Sequence, residues 1–96
     1  MLKFTNIGQQ NPPKRDVSKR KDDFNEIYKE FIQEKAEEQS SRCSQCGVPF
    51  CQVHCPLSNN IPDWLKLTAE GRLKEAYELS QSTNNMPEVC GRICPQ

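Results

Sequence analysis

The sequence predicts a small all-α domain, and three observations carry that prediction. Apolar residues recur at helical spacing in three separate segments, no segment alternates as a half-buried strand would, and proline and glycine fall where helices should begin and end. With 96 residues there is room for one domain at most, read as an arm over residues 1–21 and a helical domain over 22–96.

Met1 to Ser18 lacks apolar periodicity and carries Asn11, Pro12 and Pro13 in its middle, which predicts an extended, mobile arm. Phe4 and Ile7 are its apolar groups, free to dock elsewhere. From Asp22 to Gln39 the residues Phe24, Ile27, Tyr28, Phe31, Ile32 and Ala36 fall at helical intervals, which predicts one long amphipathic helix. Asp22 and Asp23 suit its positive end, Glu26 is placed to pair with Lys29, and Glu30 or Glu34 with nearby lysines. Ser40 and Ser41 mark its fraying end. The aromatic stripe must face either the rest of the domain or a partner, because one helix cannot bury it alone.

Asn60, Ile61 and Pro62 open a second helix, with the amide able to cap and proline tolerated in the first turn. Ile61, Trp64, Leu65 and Thr68 share one side, and Gly71 ends the run. A third helix over about Arg72–Ser80 turns Leu73, Ala76 and Tyr77 inward, so the two form a hairpin centred on Trp64. A polar loop follows, and Pro87 opens a last turn carrying Cys90 and Cys94.

Thirteen basic residues balance thirteen acidic ones, nine and eight of them before Cys43 and four and five after it. This leaves no basic patch for nucleic acid and no charged tail. No stretch approaches the roughly 18 apolar residues of a membrane span, and the N-terminus has no secretory apolar core. The expectation is a cytoplasmic protein, in a compartment that keeps thiols reduced. Only 34% of the residues are apolar, so burial alone is a thin source of stability in so short a chain, and the six cysteines are the natural supplement.

Cys43, Cys46, Cys51 and Cys55 form a C-x2-C-x4-C-x3-C run followed by Pro56, four thiols within 13 residues. A tight Cys-x-x-Cys turn brings two sulfurs together, and Gly47 and Pro49 supply the turn that wraps the others round. The bacterial ferredoxin run C-x2-C-x2-C-x3-C-P has the same ending and a shorter middle, and its last cysteine serves a second cluster. Cys94-Pro95 repeats the Cys-Pro junction 39 residues after Cys55, with Cys90 one helical turn ahead. Iron and sulfur therefore fit best. Zinc normally pairs two hooks across a longer spacer, and a disulfide framework lacks the secretory context it needs. The single His54 excludes a Rieske centre, which takes two histidines, and reads as a donor beside the ligands or an exposed ring. No G-x-G-x-x-G loop is present to bind a dinucleotide, and no side chain stands out as acid, base or nucleophile.

The stretch RCSQCGVPFCQVHCPLSNNIPDWLKLTAEGRLKEAYELSQSTNNMPEVCGRICPQ, with the preceding RDVSKRKDDFNEIYKEF, resembles the N-terminal iron-sulfur domain of the small (beta) subunits of NADPH-dependent glutamate synthases. The iron-sulfur domain at the start of dihydropyrimidine dehydrogenase is similar in cysteine spacing. The resemblance implies an all-α, alpha-helical ferredoxin-like domain holding two 4Fe-4S clusters, with FAD and NADPH bound on domains further along the protein. It implies that Cys43, Cys46 and Cys51 hold one cluster with a thiol from beyond Gln96. Cys55 and Cys94 would belong to the other, and Cys90 would be a ligand or a buried neighbour. Two four-iron clusters take four thiols each where the chain has six, so either other residues complete one ligand set or, as is expected here, the domain is truncated at its C-terminal end. The segment alone is then not catalytic. It would relay electrons towards the large (alpha) subunit for glutamate synthesis, and an isolated piece would be open to pairing with a second copy. The alternative is a zinc-stapled interaction domain without redox activity.

Overall fold

The computed structural model describes residues 1–95. Among these residues there is no sheet, only an isolated antiparallel bridge between Lys14 and Tyr28, and the order is a 3-10 turn Lys3–Thr5 followed by six helices. These are α1 (Val17–Arg20), α2 (Gln33–Ser40), α3 (Phe50–Val53), α4 (Ile61–Ala69), α5 (Leu73–Gln81) and α6 (Pro87–Ile93). The all-α expectation holds. No helix among the described residues is long and apolar enough to cross a membrane.

The long helix predicted over Asp22–Gln39 is replaced by α2 alone, eight residues at the end of that span. Residues 22–32 instead run beside the arm. Arg15 N–H donates to Ile27 C=O (2.8 Å) and Lys29 N–H to Pro13 C=O (2.8 Å), and the Arg15 guanidinium grips the Asp23 carboxylate through four contacts of 2.7–3.2 Å. The prolines keep the arm stretched, which leaves its backbone groups free to pair, and this pairing outcompetes a helix of modest intrinsic propensity. The predicted stripe is consequently broken up: Phe24, Ile27 and Ile32 are exposed and Phe31 half-buried. Glu26 pairs with Arg92, not with Lys29.

The α4–α5 hairpin and its contact with α2 make the body of the fold. Asn60 precedes α4 as expected, but its amide donates to Asp63 Oδ2 (2.7 Å) and caps nothing. Pro62, at the second helical position, has removed one of the two N–H groups such a cap would reach. At the other end, Gly71 takes φ +73°, Arg72 N–H donates to Leu67 C=O (2.9 Å), and Gly71 N–H donates to Thr68 C=O (3.0 Å). This is the paired C-terminal lock that a left-handed glycine permits. Trp64 is half-buried in the hairpin.

Of the three residues expected inside α5 only Ala76 is buried, at 6% exposed, whereas Leu73 and Tyr77 are 42% and 58% exposed. The small side chain lets the helices approach closely, and the bulkier Leu73, one turn before it, and Tyr77, next to it, splay outwards. Ser40 and Ser41 do end α2, but they are buried and ordered, with Ser41 Oγ donating to Glu38 C=O (2.6 Å). The chain exposes 7328 Å² where a compact monomer of its mass exposes about 5,700 Å². Packing among its own helices therefore leaves much of the apolar surface uncovered.

Candidate metal centre

The first cysteine group starts where α2 stops, and the arm is sewn onto that junction. Leu2 N–H donates to Cys43 C=O (2.8 Å), Lys3 N–H to Ser41 C=O (3.1 Å), and Arg42 Nε to Ile7 C=O (3.0 Å). Gln39 holds both Gly8 C=O and Gln10 N–H through its amide. The arm thus fixes the backbone from which the first thiol projects.

Gln45, inside the Cys-x-x-Cys turn, adopts φ +52°, a left-handed conformation that lets the loop double back. Its amide donates to Pro62 C=O (2.6 Å), which anchors the loop on the first turn of α4, and also lies 3.4 Å from Cys43 Sγ. The Gln45 N–H approaches the same sulfur at 3.5 Å, and Ser44 Oγ lies 3.0 Å from Cys46 Sγ. Cys51 sits in α3, whose exposed His54 stacks on Phe50 with centroids 5.7 Å apart. That places the lone histidine on a surface ring.

Cys55 follows α3 and is half-buried. The Asn59 backbone N–H holds its thiol below the ordinary value, assisted by the N–H groups of Leu57 and Ser58 and by the Asn59 amide at 3.5 Å, against the opposing pull of desolvation. Thr83 Oγ1 donates to Asn59 Oδ1 (2.6 Å), so one asparagine joins the Cys55 turn to the loop leading into α6. Asn84 Oδ1 then accepts the Met86 N–H (2.9 Å) at the start of α6. At the end of α6, Cys94 N–H donates to Cys90 C=O (2.9 Å), closing the turn that separates the two remaining cysteines.

All six cysteines are free thiols, with Cys46 and Cys94 exposed and Cys43, Cys51, Cys55 and Cys90 half-buried. Among the described residues no three His, Cys, Asp or Glu side chains stand close enough together to hold a metal ion. The donor chemistry nevertheless suits iron and sulfur, for the thiols are unbridged and N–H groups aim at the sulfurs of Cys43 and Cys55, as thiolate ligands require. Gln45, Asn59 and Thr83 were not foreseen from the sequence. Gln45 and Asn59 had one legible signal, an amide side chain inside or just beyond the cysteine run, whereas Thr83 is joined to the site only by the fold.

Residues 20–96 match the family described as dihydropyrimidine dehydrogenase domain II, 4Fe-4S cluster. Over all 96 residues the chain is 69% identical to the glutamate synthase (NADPH) small chain of Azospirillum brasilense, covering 20% of that protein. It is 50% identical, again over 96 residues and 20% of the relative, to the glutamate synthase (NADPH) small chain of Escherichia coli strain K12. A putative oxidoreductase of the same strain, AegA, is 44% identical over 86 residues, 88% of this chain and 13% of that protein. The chain spans about a fifth of the length of the glutamate synthase small chains it matches.

Proposed function

Since the chain belongs to the 4Fe-4S family of dihydropyrimidine dehydrogenase domain II, we propose that it is the electron-transfer and subunit-docking segment of a glutamate synthase small chain. The observation that carries this reading is the pairing of similarity along all 96 residues to a fifth of two such small chains with six free thiols on two separated portions of the backbone. Cys43, Cys46 and Cys51 would hold one 4Fe-4S cluster together with a thiol from elsewhere in the protein. Cys55 and Cys94 would serve a second, with Cys90 as a further ligand or a neighbour. When bound, the clusters supply one-electron relay between NADPH-reduced FAD on other domains and the large subunit, where glutamate is made. The chain's own residues do the positioning: the arm sets Cys43, Gln45 ties its loop to α4, and Asn59 orients Cys55 by donating to its sulfur. Hydrogen bonds to sulfur are one of the means by which a protein sets cluster potential.

The test is anaerobic purification of the full-length protein with iron and sulfide analysis. A brown protein bleached by dithionite, losing iron when Cys43, Cys55 or Cys94 is changed to serine, is the expected result. A colourless protein carrying zinc would overturn the reading in favour of a structural staple.

A further inference from the structure

Helix α6 has seven residues, well short of the ~12 that an isolated helix needs in water. Burial does not hold it either. It forms no substantial packing contact with another helix, and its apolar residues Val89 and Ile93 are 46% and 74% exposed. What reaches α6 from far along the chain is a forked ion pair: Arg92 Nη2 lies 2.6 Å from Glu26 Oε2, and Nη1 lies 3.2 Å from Oε1. We propose that Glu26 is a positioning residue for Cys90 and Cys94, acting through Arg92. This rests on the reading that those cysteines serve an iron-sulfur cluster.

Glu26 can play that part because its own segment is held. The two backbone bonds from Arg15 to Ile27 and from Lys29 to Pro13 hold the chain just after it, and the Arg15–Asp23 fork closes the other end. Tyr28 N–H donates to Glu26 Oε1 (3.2 Å), orienting the carboxylate before the arginine arrives. On the helix side Glu88, one turn before Arg92, accepts from the same guanidinium (2.9 Å), so the long side chain is gripped at two points.

The helical geometry then decides what the grip achieves. Cys90 and Cys94 are four residues apart and share a face. Arg92 lies two residues from each and, at ~100° per residue, points from the opposite side. Seizing Arg92 therefore sets the rotation of α6 and turns the thiol face away from residues 22–32. An exposed ion pair adds little to a helix already packed, but here few other restraints compete, and a planar fork fixes direction as well as distance.

The experiment is a charge-swap cycle in the full-length protein, with Glu88→Gln in every form so that no like charge opposes the swap at position 92: Glu26→Arg, Arg92→Glu and the double variant. Amide exchange over residues 87–94 is measured in iron-free protein, and iron, sulfide and midpoint potentials after anaerobic reconstitution. Each single change is expected to speed exchange in α6 by roughly two- to fivefold and to lower iron content. The double variant should recover both exchange and iron content. Single variants indistinguishable from the parent would overturn the proposal. So would a swap no better than either single, because Arg92 would then be acting by its own charge and not by its tie to Glu26. Failure of the parent protein to take up iron would refute the cluster reading separately, while the exchange cycle still judges the pair.

Discussion

Replacing Gly71 by alanine tests the account of the α4–α5 hairpin most directly, because the same substitution at Gly91 should act in the opposite sense. Gly71 has φ +73°, and a Cβ placed on it would lie 3.3 Å from Glu37 Oε1. Holding an L-residue in the left-handed region costs roughly 1–2 kcal/mol, partly offset by the ~0.4–1 kcal/mol that alanine removes from the entropy of the unfolded chain. The close carboxylate adds to the cost, for it must move while keeping its bond from Gln33 Nε2 (2.8 Å). The net expectation is a loss of about 1 kcal/mol, or about 4–8 °C in Tm for a domain of this size. Gly91 lies inside α6 with nothing within 4 Å of the added Cβ, so alanine there should stabilise by about 0.5–1 kcal/mol. Urea unfolding of iron-free protein, followed by far-UV circular dichroism, measures both. Gly71→Asn, which tolerates the left-handed region, should fall between alanine and the parent. A Gly71→Ala variant as stable as the parent, or more so, would refute the argument from backbone conformation.

Enlarging Ala76, the buried apolar contact of the hairpin, to leucine should cost about 1–3 kcal/mol by overpacking, read from the same unfolding curves. Asp23 has its carboxyl held below the ordinary 3.8 by the Asn25 N–H first and by Arg15, so its contribution is present above that pH. It is lost as pH falls through the depressed value, and Asp23→Asn should abolish that acid dependence in amide exchange of residues 13–29. Asn59→Ala removes the side-chain donor to Cys55 and the acceptor for Thr83, so the midpoint of the pH profile for alkylation of Cys55 in iron-free protein should move up. An unchanged midpoint would mean the Asn59 side chain does not reach the thiol.

The elements foreseen correctly share a physical property: their signals are local. Pro62 and Gly71 bracket α4, and Pro87 opens α6, because a missing N–H and a permitted left-handed turn act within a residue or two of where they stand. The cysteine run was legible as a pattern for the same reason, since four thiols within 13 residues stand out in the order of residues alone. The family resemblance from Arg15 onwards was legible there too. The long helix over Asp22–Gln39 was not, because its apolar spacing speaks only for residues that have no better partner, and the arm supplied one.

Composition and order alone established a helical chain with a thin core and thiols suited to iron. The pairing of Arg15 with Asp23, of Glu26 with Arg92 and of Asn59 with Thr83 came only with the folded backbone. Each joins residues whose separation along the chain carries no periodic trace, and each forms only because helices and turns, once made, bring the two groups within hydrogen-bonding distance.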